Sequence, residues 1–429
     1  MRRWHAYLIV TLAAALPRLV VLGVERHKLL EDFVEKSDRF AQTFVQSGTF
    51  GFLPGVPSAY TQPLYAFFLS GLYWPFGRSW VAVGLAQTVV AVATALLVLE
   101  LGRRLRSLTV GVVAALVATL HPYVVWHDVH INREILDGLI VVALALLALM
   151  AYERRSVALA AAAGAVCGLG ILGNSRLLLL PLALAPFVAW RIRPGSRAVA
   201  AGAVLVLAAA LVVTPWVIRN RVQVGCFAVT TDARALWKAN NLSTRDVLAS
   251  GKWIDDVPEL PGAPPWPELA ADRTLGGTAT SVDECEQVSL YRDEVLAFWR
   301  DEPGEKARLA VQAVQMLWSP TFTVTADDPA RNGVIELAKK TVEPAYVIAI
   351  YALAIFGLFL APRRFAALVA LLVSYNTLMA MVFAGTFRYR TPFDALLAVL
   401  AAFALERGWT LVQSARRDYS TAARESASR

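Results

Sequence analysis

Cysteine is scarce in this chain, three among 429 residues, which is too few for a fold held by disulfides. Cys167 lies inside an apolar stretch and reads as packing. Cys226 and Cys285 share one long polar segment, where a bridge and two unpaired thiols are both open. Histidine is rare too, and its one local group, His127-Asp128-Val-His130, is a weak metal signature that fits interfacial polar residues better. No cofactor is expected on this basis, with a divalent ion left open. A cleavable leader is not expected. The first apolar block contains Pro17-Arg18, has no convincing small-residue cleavage site and runs straight into further apolar blocks. Also missing are two matching halves with midplane polar residues, the pattern of many secondary transporters.

What the chain has in abundance is apolar sequence, 57% of all residues, gathered into blocks. A bilayer core needs roughly 20 apolar residues of helix, and about ten blocks come near that length. They lie near 6–24, 80–101, 108–126, 133–151, 157–173, 176–190, 198–218, 343–361, 365–384 and 392–407. Arginines follow alternate blocks: Arg103, Arg104 and Arg106; Arg154 and Arg155; Arg191, Arg193 and Arg197; Arg363 and Arg364. With Arg2, Arg3, Arg416 and Arg417 they fall on one side if both termini are cytoplasmic, as the positive-inside bias requires. The net charge of +8 is therefore a signature of topology, and no nucleic-acid partner is expected. The predicted fold class is an all-α polytopic membrane protein of about ten transmembrane helices with a mixed external lobe. It divides into a membrane region 1–218 carrying a first external loop 25–79, a lobe 219–342, membrane helices 343–408 and a polar cytoplasmic tail 409–429.

Polar residues collect on the external side. The first loop contains Glu25, Glu31, Asp32, Glu35 and Asp38, and the lobe holds five tryptophans and many acids. Between the last two apolar blocks lies Gly385-Thr-Phe-Arg388-Tyr389-Arg390-Thr-Pro392. Its arginines stand against the positive-inside bias, which weakens a purely anchoring role and favours a phosphate. The cytoplasmic loops are short and basic. An enzyme acting on a membrane-embedded substrate at the outer interface fits this asymmetry.

Four stretches carry a family resemblance. The first is Ser37-Asp38-Arg-Phe40-Ala41, Gly48-Thr-Phe50 and Pro57 to Tyr65, with Phe76-Gly77 beyond. The second is Arg133-Glu134-Ile-Leu, opening a membrane helix after His121-Pro122. The third is Pro215-Trp216-Val-Ile-Arg219-Asn220, followed by Gly225 and Leu236-Trp237-Lys-Ala-Asn240-Asn241. The fourth is Arg388-Tyr389-Arg390-Thr-Pro392. In their order, spacing and topological side they resemble the GT-C glycosyltransferases, most of all the bacterial family 39 members related to protein O-mannosyltransferases and lipid A aminoarabinose transferases.

The resemblance implies a sugar donor on a polyprenyl phosphate and an extracytoplasmic acceptor, whether protein, lipid or cell-wall glycan. It also implies a multi-pass protein of the inner (plasma) membrane, with transfer by inverting single displacement. A hydroxyl acceptor needs a carboxylate to take its proton, and the departing phosphate needs fixed cations. Asp38 is the expected base. Asp32 competes, because the family's first-loop acid usually lies closer to the first helix, and Glu134 matches a further acidic position. Arg388, Tyr389 and Arg390 are the expected phosphate site, with Arg176 and Arg219 next in rank. Tyr65 borders the site as packing or lipid access, while Asn240 and Asn241 either bond a sugar or form a turn. A lipid-linked glycan ligase and a flippase or transporter of lipid-linked sugars are the alternative readings.

Overall fold

The computed structural model describes residues 2–26, 28–31, 35–190, 194–267, 282–320 and 338–427. Among them the architecture is helical. Seven helices are long and apolar enough to cross a membrane, and three shorter apolar helices complete the expected ten. The chain enters with α1 (Arg3–Glu25), followed by the short α2 (Lys28–Glu31), α3 (Lys36–Ser47) and α4 (Pro63–Phe76). The membrane pattern resumes with α5 (Trp80–Leu105) and α6 (Leu108–Thr119). The expected single block at 108–126 is broken, because Pro122 has no N–H to continue the ladder. It therefore starts a separate turn, α7 (Pro122–His127). Then come α8 (Glu134–Arg154), α9 (Val157–Gly173), α10 (Leu180–Ala189) and α11 (Gly195–Gln223).

The polar segment after α11 carries α12 (Arg234–Lys238), α13 (Thr244–Ala249), α14 (Glu284–Asp301) and α15 (Pro303–Trp318). No strand occurs among its described residues. Cys226 and Cys285 are bridged across 59 positions, which ties the exit of α11 to the start of α14. Three membrane helices close the chain: α16 (Glu343–Leu360), α17 (Arg363–Val382) and α18 (Phe387–Ala427). The last of these runs on through the expected polar tail to Ala427.

Small residues set the tight helix contacts. At Gly164 of α9 an added Cβ would stand 2.1 Å from the backbone oxygen of Leu205 in α11, and at Gly357 of α16 it would stand 1.8 Å from that of Leu400 in α18. Backbones pack this closely only where no side chain intervenes. At the end of the bundle away from the lobe, Arg106 pairs with Glu406 at 3.1 Å and Arg364 with Glu153 at 2.8 Å. The opposite end carries α2 to α4, α7 and the lobe, and the candidate site is there.

Candidate active site

Position along the chain explains how the site's charges come together. Glu134 and Asp137 lie in the first turn of α8, where negative charge meets the positive helix end. Arg133 is the residue just before them. Arg388 lies in the first turn of α18, and Glu35 immediately precedes α3. Arg176 sits in the short turn between α9 and α10. Six charged side chains, three of each sign, thus meet at the lobe end.

Arg388 donates through Nε to Glu134 Oε1, and its Nη2 lies 3.7 Å from Glu35 Oε1. Arg133 Nε is 3.8 Å from both Glu35 Oε1 and Glu134 Oε1, while its Nη1 donates to Gln62 at 2.9 Å. Arg176 Cζ lies 3.6 Å from the centre of the Tyr389 ring, and the side chain donates to the Ala384 carbonyl. Asp137 accepts from Asn174 at 3.1 Å.

The cluster is not self-satisfied. Glu35 Oε2, Glu134 Oε2, Asp137 Oδ1 and Arg133 Nε are shut off from solvent without a hydrogen-bond partner. Unpaired buried polar atoms cost free energy and point to groups held for a ligand or reaction. Burial raises the Glu35 carboxyl above its ordinary value, with Arg388 and Arg133 pulling the other way. Burial pushes Arg176 down to about 10, which still leaves it charged at neutral pH.

Asp38 lies one turn beyond Glu35, in different surroundings. It is 1% exposed and accepts from Tyr73 at 2.6 Å, from Gln42 at 3.0 Å and from both Nε and Nη2 of Arg78. Arg78 also donates to the Leu30 carbonyl, so the pair binds α2, α3 and α4 together. Asp32 lies outside the described residues.

Arg388 and Arg390 are separated. They occupy the start of a helix, where residues two apart point about 200° from one another. Arg388 faces the cluster. Arg390 is 2% exposed and turns into the bundle, where Asp394 and the carbonyls of Leu317 and Ser319 take its donors. That is the physical reason the two arginines do not form one fork.

Arg219 is also elsewhere, donating to the carbonyls of Phe50 and Ser58 and to Asn220. It fastens the first loop to α11. Tyr65 is buried, donates to Gln87 at 2.6 Å and accepts from the Asn132 N–H at 2.8 Å, which fixes the approach to Arg133 and Glu134. Asn240 and Asn241 form the turn after α12. Asn240 joins Trp299, Lys306 and the Val382 carbonyl, and Asn241 bonds to Trp237 and Ser243. His127 stacks on Tyr123, and Asp128 pairs with Arg18 at 2.6 Å. Among the described residues no group of three metal-ligating side chains occurs.

Two cavities flank the Arg388–Glu134 pair. On the Glu134 side, a cavity of about 70 Å³ lies among Arg18, His121, Asp128, Glu134 and apolar residues of α5 and α6. At roughly 10–15 Å³ per water it suits a few waters and is too small for a lipid chain. His121, whose ring nitrogens have no hydrogen-bond partner, faces it, with Asp394 Oδ2 3.9 Å from its Nε2. On the Arg388 side, a groove of about 390 Å³ opens between the lobe and residues 384–389.

Sequence reasoning passed over Glu35, Arg133 and Asp137 as site residues. The available signal was an acidic pair three apart opening an apolar helix, since ionisable groups at membrane helix ends default to function.

Comparison with known proteins agrees with this architecture. A family model described as dolichyl-phosphate-mannose-protein mannosyltransferase matches residues 57–218. No curated protein matches the sequence. Among solved structures, the oligosaccharyltransferase AglB from Archaeoglobus fulgidus, in complex with an inhibitory peptide and a dolichol-phosphate, superposes with a TM-score of 0.52 at 14% identity. That match covers 98% of this chain and 52% of AglB. The apo form of the Archaeoglobus fulgidus oligosaccharyltransferase gives 0.51 at 15% identity, covering 97% and 52%. ArnT from Cupriavidus metallidurans bound to undecaprenyl phosphate gives 0.45 at 14% identity, covering 95% and 79%. The chain spans about half the length of the archaeal oligosaccharyltransferases that it matches. Its fold is that of the archaeal oligosaccharyltransferases it superposes on.

Proposed function

We propose that this protein is an integral-membrane glycosyltransferase that moves a sugar from a polyprenyl-phosphate donor to an acceptor outside the cytoplasm. The observation that carries the reading is the cluster of three arginines and three carboxylates, with unpartnered buried atoms, at the lobe end of the bundle. Two findings support it: the family model over residues 57–218, and the fold shared with an oligosaccharyltransferase solved with a dolichol-phosphate. Both termini are cytoplasmic in this reading, and the lobe end faces outward from the inner (plasma) membrane.

Arg388 and Arg133 hold the donor phosphate, with Arg176 behind them. Guanidinium forks match phosphate oxygens, and a partly dry site strengthens the attraction. Glu35 serves as base. Burial keeps its proton affinity up, and its Oε2 is unoccupied by any protein donor. Asp38 is a positioning residue, since Arg78, Tyr73 and Gln42 already occupy its oxygens. The acceptor oxygen attacks the anomeric carbon as its proton passes to Glu35. The carbon–oxygen bond to phosphate breaks with its electron pair leaving on the phosphate, and the anomeric centre inverts.

The test is to incubate purified full-length protein with radiolabelled polyprenyl-phosphate sugars and membrane extract, then identify the labelled product. Label should move to a product with wild type and fail to do so with Glu35→Gln. Transfer that survives in both Glu35→Gln and Arg388→Ala would overturn the assignment, and no transfer from any such donor would overturn the activity.

A further inference from the structure

Asp137 belongs to the cluster, and the donor chemistry gives it no task. We infer that it is a specificity-determining residue of the phosphate site, whose fixed charge admits a phosphate with one negative charge and opposes a second. The inference rests on the glycosyl-transfer reading above. It separates the lipid-linked donor from the spent lipid phosphate that transfer leaves behind.

Asp137 lies in the first turn of α8, three residues after Glu134, so the two carboxylates share one helix face. It is 2% exposed. Its Oδ2 accepts from the Asn174 amide at 3.1 Å, and its Oδ1 has no hydrogen-bond partner. A Cβ on Gly173 would stand 3.4 Å from that Oδ1, so the last turn of α9 closes over it. Glu134 receives Arg388 directly, and Glu35 lies 3.7 Å from Arg388 and 3.8 Å from Arg133. The Asp137 side chain is held instead by a neutral amide, and Arg133, Glu134 and Glu35 act on it at longer range.

Holding the turn does not require the charge. Asn174 also accepts the Arg176 N–H through Oδ1 at 3.2 Å, and the Arg176 carbonyl accepts from Tyr375 at 2.6 Å. A neutral asparagine at position 137 would keep the Asn174 bond. Burying an anion without its own cation costs free energy, and an ionisable group at a membrane helix end defaults to function.

The charges of the cluster give that function its sign. Arg133, Arg176 and Arg388 are matched in number by Glu35, Glu134 and Asp137, which leaves the site neutral. A sugar phosphodiester brings one negative charge and takes arginines that Glu35 and Glu134 share. Transfer breaks the bond from the anomeric carbon to the phosphate oxygen. That oxygen keeps the electron pair, so the phosphate becomes doubly charged while the acceptor proton rests on Glu35. When Glu35 yields the proton to solvent, three carboxylates face two charges on the phosphate. Glu35 and Glu134 can shift with their arginines. Asp137 is locked between Asn174 and Gly173, so its repulsion persists and the spent carrier leaves.

The experiment titrates full-length protein in detergent micelles at pH 8 with two sugar-free probes on the same tail, undecaprenyl methyl phosphate and undecaprenyl phosphate. The first carries one charge. The second carries about two, since the second proton of a phosphate monoester leaves at about pH 6. Binding is read by native mass spectrometry. Wild type should bind the methyl diester more tightly. Coulomb energy is linear in charge, so Asp137→Asn should tighten the diester roughly tenfold and the monoester by roughly the square of that factor. A merely structural role would instead weaken both probes in step with a lower melting point. The specificity role is overturned if wild type prefers the monoester, or if Asp137→Asn weakens both, changes neither or tightens both by the same factor. Should Asp137→Asn fail to fold, the wild-type preference still decides. Arg388→Ala should weaken both probes. If it leaves both unchanged, or if neither probe binds wild type, the glycosyl-transfer reading fails instead.

Discussion

Substituting Asp38 and Glu35 separately decides which first-loop carboxylate takes the proton, because the two sit in such different surroundings. Asp38 is enclosed, with both oxygens occupied by Tyr73, Gln42 and the Arg78 fork. Asp38→Asn replaces one of those oxygens with an amide that points hydrogen at hydrogen-bond donors. It also leaves Arg78 without its counter-charge. Breaking a buried pair by removing one partner costs about 3–5 kcal/mol. Arg78 is a third exposed, so water recovers part of that and the lower end applies, about 3 kcal/mol. Asp38→Asn should therefore lower the melting temperature by several degrees, with turnover per folded molecule reduced only as far as α3 shifts. Glu35→Gln should behave in the opposite way. It removes a partly buried charge with an unpartnered oxygen, so the melting point should hold or rise, while turnover falls by ~100- to 10,000-fold.

The pH profile gives a second readout. Burial raises the Glu35 pKa above 4.5, so the base is protonated, and kcat/KM lost, as pH falls through that raised value. Between 4.5 and the folded pKa the folded protein binds more protons than the unfolded chain. This group's contribution to stability therefore declines as pH rises across the window. Both effects should vanish in Glu35→Gln. The assays are thermal melts in detergent and donor-to-acceptor transfer on matched folded protein. The argument fails if Asp38→Asn melts normally yet is inactive while Glu35→Gln turns over at the wild-type rate. In that case Asp38 is the base, as the sequence alone suggests.

Other outcomes follow from the same geometry. Arg390→Ala strands Asp394 in the bundle and should cost about 3–5 kcal/mol with donor Kd unchanged in the surviving protein. Arg388→Ala should do the reverse, and Arg388→Lys should lose less because the charge stays while the fork goes. A melt and a polyprenyl phosphate titration on each variant separate them. Gly385→Ala would place a Cβ 1.7 Å from the Ala313 backbone oxygen, so the strip must move. The expected cost is about 1–3 kcal/mol, seen as a lower melting point. For topology, cysteines at Ser47 and Ser250 in a background without native cysteines should react with an impermeant thiol reagent from outside, and one at Ser107 should not. Outside labelling of Ser107→Cys would invert the proposed orientation.

The membrane helices were legible because burial in lipid constrains sequence so strongly. Each needs a long apolar run, and those runs appear at nearly the observed bounds. The strip at residues 385–392 was harder. As text it is a polar connection, with the last apolar block beginning only at Pro392. In the structure, α18 begins at Phe387 and runs through Pro392, and the Arg388 carbonyl that Pro392 cannot bond accepts from the Thr391 hydroxyl at 3.0 Å instead. Once those residues are helical, the spacing of Arg388 and Arg390 becomes an angle, and the two charges point apart. The Cys226–Cys285 bridge lay beyond sequence reasoning, since its 59-residue separation carries no information about distance in space.

The same reasoning explains why the acidic residues were harder to rank than the arginines. Glu35 and Asp38 are three positions apart in one polar loop, and composition treats them alike. What separates them is which neighbours arrive from elsewhere in the chain. Arg78, at the end of α4, reaches Asp38, and Arg388, some 350 residues on, reaches Glu35. A carboxylate that receives its own dedicated arginine becomes a structural clamp. One that shares arginines with a second carboxylate, and keeps an oxygen unbonded, can exchange those arginines for a phosphate when donor binds. Glu35 and Glu134 are both of this second kind. The phosphate of an incoming donor would draw Arg388 and Arg133 toward itself and release the two carboxylates from part of their compensation. The base would then gain proton affinity as the site fills. Measured on the enzyme saturated with polyprenyl-phosphate sugar, the acidic limb of kcat should therefore lie at higher pH than that of kcat/KM, and coincident limbs would show that the arginines stay with Glu35 and Glu134 throughout.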